Sequence, residues 1–177
     1  VTSVKLSHIP EGAPYVDRGL KVPLKDLGLE APWIGGVELD LSMRRAHGQI
    51  LGTFEATGRL GLQCSRCLEA FESTAHAAFM VEFEKAPEGE DPRGGDDPDD
   101  PGPNVAFYTG DLIEFGEEVR QELELQVPFA PLCRADCKGL CPVCGGNLNE
   151  KACGCEAGAK NSPFQGLNKL FQQNKEN

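Results

Sequence analysis

Six of the eight cysteines fall within residues 133–155. The run is Cys133-Arg-Ala-Asp-Cys137-Lys-Gly-Leu-Cys141-Pro-Val-Cys144, followed by Cys153-Gly-Cys155. Thiols bunched in this way, with glycine and proline between them, are spaced for a metal ion. Cys141-Pro-Val-Cys144 reads as a knuckle whose tight turn holds two sulfurs about a tetrahedral edge apart. Gly145, next in the chain, can take positive φ without a Cβ penalty, and backbone N–H groups in such a turn point at the thiolates. With Cys153 and Cys155 the spacing becomes C-x2-C-x8-C-x-C, which predicts a tetrathiolate site from Cys141, Cys144, Cys153 and Cys155. Four thiolates leave no open position for water or substrate, so the expected metal is structural. Zinc and iron both accept four sulfurs, and stability in air and abundance favour zinc.

The other pair, Cys64-Ser-Arg-Cys67, lies between two strand patterns. A redox C-x-x-C normally opens a helix, whose dipole lowers the first thiol's pKa, so a thioredoxin-like role is not expected here. Two readings remain open. Cys64 and Cys67 are small buried residues of a β-turn, or they form a second metal site with Cys133 and Cys137. Disulfides are the weaker alternative: the even cysteine count fits them, but Cys153-Gly-Cys155 is poor disulfide geometry. The opening residues carry no signal-peptide core, which points to the cytoplasm, where thiols stay reduced. No run approaches the roughly 18 apolar residues of a membrane span, so no membrane partner is expected.

The elements that must position these sulfurs are mostly strands. Val37, Leu39 and Leu41 alternate with Glu38, Asp40 and Ser42, the pattern of a half-buried strand. Gln49–Ala56 and Gly58–Gln63 read as two further strands, and Phe71–Phe83 as a long one. Gly52 and Gly61 suggest bulges or close backbone approach. Val4–Ile9 reads as extended, and Val22–Leu27 as a turn or edge piece. Residues 84–103 are dominated by proline, glycine and acid, and read as an acidic mobile loop. Val105–Tyr108 is a short strand. Asp111 then looks like the N-cap of a helix over Leu112–Leu125 with Leu112, Phe115, Val119 and Leu123 on one face. Ser162 and Pro163 open a short terminal helix with Phe164, Leu167, Leu170 and Phe171 as its apolar stripe. The expected class is α+β: an antiparallel β meander or partly closed barrel, a helix, and a C-terminal cysteine-rich metal-binding segment. The divisions are 1–83 for the β region, 84–103 for the loop, 104–131 for a strand and helix completing the same domain, and 132–177 for the zinc-binding segment with its short helix.

The net charge of −11 is unevenly spread. Residues 132–177 alone have a positive formal balance, with six basic and four acidic groups. An acidic chain repels phosphate at long range, so strong nonspecific binding to nucleic acid is not expected, while a local basic face stays open.

The segments Leu62-Gln-Cys64-Ser-Arg-Cys67-Leu-Glu-Ala-Phe71, Leu132–Asn149 and Ser162–Leu170, with the acidic stretch between the first two, resemble the YceD family. These are the large ribosomal RNA subunit accumulation proteins of bacteria and plastids. The resemblance runs from about Leu39 to Leu170. It implies a noncatalytic factor in large-subunit RNA accumulation and ribosome assembly, with a large-subunit RNA precursor or a ribosomal or assembly protein as partner. Arg134, Lys138 and Lys151 around the cysteines, Arg44, Arg45 and His47 at a strand turn, and Arg66 inside the first pair are the candidate contacts. Each is also readable as a solvated charge, and Arg66 as a group that orients its turn by hydrogen bonds to carbonyls. A second class is a zinc-stabilised adaptor that binds a protein through the sheet edge or the acidic loop. A third is an enzyme, either a thiol oxidoreductase or a metal hydrolase. His8, His47 and His76 lie on separate segments in no ligand spacing, and no phosphate loop or nucleophile triad is present, so neither catalysis nor a small-molecule substrate is expected.

Overall fold

The computed structural model describes residues 2–47, 49–86 and 104–155. They divide into two compact units. The first runs to Cys64 and again from Glu69 to Cys133; the second comprises Ser65–Leu68 and the chain from Arg134 onward. The expected terminal helix at Phe164–Phe171 and most of the acidic stretch, 87–103, lie outside the described residues.

The first unit is built on a five-stranded sheet in the order β2 (Tyr15–Pro23), β3 (Trp33–Ala46), β4 (Gln49–Gln63), β5 (Ala70–Lys85) and β6 (Val105–Tyr108). β3 to β5 form the antiparallel meander that the alternation predicts, and β2, which no alternation marked, extends it antiparallel to β3. β6 departs from it by pairing parallel to β5, with Glu82 opposite Val105 and Lys85 opposite Tyr108. Parallel neighbours need a connection of a dozen or more residues, and the chain between Lys85 and Val105 has that length. The sheet ends at two edges, so no closed barrel forms among the described residues. A second, two-stranded ladder pairs β1 (Ser3–Lys5) with β7 (Leu112–Glu114).

Several local expectations are corrected. Gln49–Gln63 is one unbroken strand, not two, and every second residue from Ile50 to Leu62 is buried. Gly58, expected to open a separate strand, sits inside it, where a Cβ would lie 2.7 Å from Cζ3 of Trp33. Gly52 is the close approach expected of it: its Cβ would fall 2.6 Å from Phe54 Cε2 and 2.9 Å from Phe83 Cε2. Gly61 has only an ordinary contact, 3.4 Å to Ile34. The bulges lie elsewhere, between Asp17 and Leu20 in β2 and between Ile34 and Glu38 in β3. The piece Val22–Leu27 is the end of β2 followed by α1 (Leu24–Leu27), which Gly28 closes in the left-handed conformation. Only Ser3–Lys5 of the extended opening is a strand; Leu6–His8 is a 3-10 turn.

The helix α2 (Gly116–Glu124) starts later than expected. Asp111 is not its cap. Phe115 occupies the N-cap position, with no side-chain hydrogen bond, and Leu112–Glu114 is strand. Apolar residues on one turn of chain fit a helix stripe and an extended pair equally well, and pairing with β1 decides between them. Val119 and Leu123 of α2 are buried in the same core as the inward face of the sheet. Phe54 is its hub, with the rings of Phe79, Phe83 and Phe115 at 5.2, 6.3 and 5.4 Å.

The second unit contains no helix or strand among its described residues. It is a succession of turns, tied by one isolated bridge between Leu140 and Asn147. Among its described residues there is little apolar side chain to offset ordering entropy, and the cysteines are the main buried ones.

Candidate metal centre

Cys64 continues the inward register of β4, two residues after Leu62, and is fully buried. The turn that follows is closed by the Cys64 N–H donating to the Glu69 carbonyl at 2.9 Å, with Leu68 at φ 62°. Cys67, inside that turn, and Cys137 are also buried, and Cys133 is half-buried. Cys137 sits on its own turn, its N–H donating to the Arg134 carbonyl at 3.1 Å. The sulfurs of Cys64, Cys67, Cys133 and Cys137 all lie within 4.8 Å of one another. Sulfurs on a tetrahedral zinc stand roughly 4 Å apart, given a Zn–S distance of about 2.3 Å. The donor set therefore fits one tetrahedral ion.

Arg66 belongs to this arrangement. Its Nη1 donates to the Cys137 carbonyl at 2.9 Å, and its own carbonyl accepts from the Leu140 N–H at 3.1 Å. Gly139, at φ 75°, leaves room for this: a Cβ would come 3.1 Å from the Arg66 carbonyl oxygen. The guanidinium thus orients a cysteine turn through a carbonyl.

The second group is Cys141, Cys144, Cys153 and Cys155, whose sulfurs also lie within 4.8 Å of one another. Cys141 is buried, Cys144 exposed, and Cys153 and Cys155 half-buried. The knuckle is built as a tight turn. The Gly145 N–H donates to the Cys141 carbonyl at 2.9 Å, the Cys141 N–H to the Gly146 carbonyl at 2.8 Å, and Gly145 has φ 71°. The Val143 N–H points at Cys141 Sγ from 3.4 Å.

Electrostatics separate these four thiols. Backbone N–H groups of Cys144 and Val143, with the Cys153 thiol, lower the Cys141 pKa to about 6. Cys155 faces Cys144 and Cys153, and their thiols push it up to about 12. One thiol ionises readily, and another resists beside two further thiols. A divalent cation removes that conflict by letting all four ionise together. Both groups fit zinc by donor type and spacing, and zinc held there would supply a tetrahedral crosslink with no open position. Cys141 and Cys144 come from the knuckle, Cys153 and Cys155 from the return of the chain.

The candidate contact residues are distributed over both units. Arg134, Lys138 and Lys151 are exposed in the second. Arg134 lies 3.6 Å from Asp136. Arg44 is exposed near the end of β3 in the first unit, and Arg45 pairs with Glu11 at 3.9 Å. His47, at φ 53°, and His8 are exposed, and His76 shares a 3.1 Å hydrogen bond with Thr57 on the open face of the sheet. The histidines stay apart. Asn147 and Asn149 were given no role by sequence reasoning, yet both hydrogen-bond around Cys137. Two amides spaced by one residue just after a cysteine knuckle are the signal that could have found them.

The family model described as Large ribosomal RNA subunit accumulation protein YceD matches residues 52–171. An uncharacterized protein of Mycobacterium tuberculosis is 27% identical over 109 residues, covering 62% of this chain and 50% of that protein. The chloroplastic Large ribosomal RNA subunit accumulation protein YCED homolog 1 of Zea mays is 28% identical over 156 residues, covering 76% of this chain and 51% of the maize protein. The chain thus spans about half the length of the curated relatives it matches. No solved structure matches it. With its model aligned over both cysteine groups and the β4, β5 and β6 strands, the chain belongs to the YceD family.

Proposed function

We propose that this chain is a noncatalytic factor for accumulation of large-subunit ribosomal RNA, acting in ribosome assembly in the cytoplasm. Zinc on the two four-cysteine groups orders its turn-rich, cysteine-bearing segment. The family match carries the reading: the matched maize protein is named for large-subunit RNA accumulation. The closed donor sets support a metal that shapes rather than reacts. Zinc at these sites does what a core does elsewhere, since ligands scattered in the unfolded chain make binding energy into folding energy.

Exposed Lys138 and Lys151, with Arg134 beside them, are the contacts this reading favours for a large-subunit RNA precursor. Arg66 is the least suited, because its guanidinium already serves the Cys137 carbonyl. The test is depletion in the native host, followed by quantification of both mature ribosomal RNAs. Large-subunit RNA should fall while small-subunit RNA stays nearly constant, and the protein should comigrate with a large-subunit precursor. An equal fall of both RNAs, or no fall, refutes the reading.

A further inference from the structure

Asn147 and Asn149 lie just beyond the knuckle. The Leu148 N–H donates to the Gly139 carbonyl at 2.9 Å, and Leu140 bridges Asn147, so residues 139–148 form a small closed hairpin. Its tip carries Cys141 and Cys144. Asn149 stands where the chain leaves the hairpin, and its amide is held on both sides. Oδ1 accepts from the Lys138 N–H at 2.8 Å. Nδ2 donates to Asn147 Oδ1 at 2.9 Å and to Cys137 Sγ at 3.3 Å. The Asn149 N–H donates to the same Asn147 oxygen at 3.0 Å.

This network fixes which end of the amide faces the sulfur. A backbone N–H can only donate, so the atom opposite Lys138 N must be the oxygen, and the NH2 group is left pointing at Cys137. An N–H aimed at a metal-binding sulfur orients it and stabilises the negative charge it carries once metal is bound. Cys137 belongs to one cysteine group, and the hairpin that ends at Asn149 belongs to the other.

We propose that Asn149 is a positioning residue for Cys137. Because it also ends the hairpin bearing Cys141 and Cys144, it links the two cysteine groups, so that metal on one strengthens binding on the other. The inference rests on the metal reading above.

The test uses the full-length protein and cobalt(II), whose sulfur-to-metal absorption reports thiolate ligation. Cys153→Ser with Cys155→Ser leaves the Cys64, Cys67, Cys133 and Cys137 group. Cys64→Ser with Cys67→Ser leaves the other. Asn149→Leu removes all three side-chain hydrogen bonds, whereas Asn149→Asp keeps an acceptor for Lys138 N–H and loses the donor to sulfur and to Asn147. In the first background both Asn149 variants should weaken cobalt binding by about 10–100-fold and alter the sulfur-to-cobalt band. In the second, Asn149→Asp should change affinity less than about threefold, well under the effect expected of a lost supporting contact. The product of the two wild-type affinities should exceed the product of the single-group affinities by at least about fivefold, the lower end of ordinary site coupling. If Asn149→Asp binds like wild type in the first background, the amide serves the hairpin alone and the proposal falls. Equal products remove the link between the groups. Wild-type protein that binds less than one cobalt overturns the metal reading itself, and the proposal with it.

Discussion

Neutralising Arg134, Lys138 and Lys151 together, each to Gln, should weaken binding to large-subunit precursor RNA and flatten its salt dependence. All three side chains are exposed, so removal leaves no buried partner behind. They do not make a positive field, because four thiolates around one divalent ion carry a net charge of −2, and two such groups outweigh the three cations. Their contribution is therefore that of point contacts, each releasing about 0.7–0.9 counterion from RNA or DNA. Arg134 is already 3.6 Å from Asp136, which reduces its share, so two to three contacts are lost in effect. Over a fourfold rise in salt, from about 50 to about 200 mM, that difference amounts to about 7-fold at the low end and about 40-fold at the high end. Filter binding at the two salt concentrations measures it: the wild-type affinity should drop more than that of the variant by this factor. A triple variant with unchanged affinity and slope, alongside loss of binding when residues 84–103 are deleted, would refute the reasoning. The partner would then be a basic protein, and the adaptor reading would replace RNA contact.

Purified protein should contain two equivalents of zinc, and Cys144→Ser should lose one while the sheet keeps its circular dichroism, since the first unit has its own apolar core; elemental analysis and spectroscopy on one sample check both. Metal-free protein should show a thiolate absorbance step near pH 6 from Cys141, with Cys155 still protonated until about pH 12. Below that first step a proton occupies Cys141 and competes with metal, so affinity at this group should fall as pH drops through 6. At neutral pH, zinc binding to the Cys141 group should release at least one proton, from Cys155, and calorimetry in buffers of different ionisation enthalpy measures it.

Regular alternation made β3 and β5 legible, because a sheet with one buried face imposes period two on its sequence. β2 was not legible. Its inward residues, Tyr15, Asp17, Leu20 and Val22, change phase at Arg18 and Gly19, where the bulge inserts an extra residue. Gly58 hid the continuity of β4, since a glycine selected by the space under an indole looks like a glycine selected for a turn. The four-residue β6 could be read as a strand, but its direction depends on a partner far away in the chain. Cysteine spacing carried the Cys141 group, because metal geometry fixes short separations, but left open whether Cys64 and Cys67 join Cys133 and Cys137 across the long stretch between them. The support from Arg66 and Asn149 depends on hydrogen bonds to backbone and sulfur 71 residues away for Arg66 and 11 and 12 residues away for Asn149, which leave no periodic trace.

The bulge in β2 also bears on how this protein avoids its own kind. An outer strand offers a row of unpaired N–H and C=O groups to any extended chain that passes. Here that row is interrupted at Arg18 and Gly19, where the Gly19 N–H is turned onto the Asp40 carboxylate at 2.6 Å, and it ends at Pro23, which has no N–H to offer. At the opposite side of the sheet β6 is only four residues long. A strand-like segment arriving at the β2 side finds a broken register, so growth of the sheet by strand addition is discouraged there, and a partner of this unit has more to grip on its side-chain surfaces than along that rim.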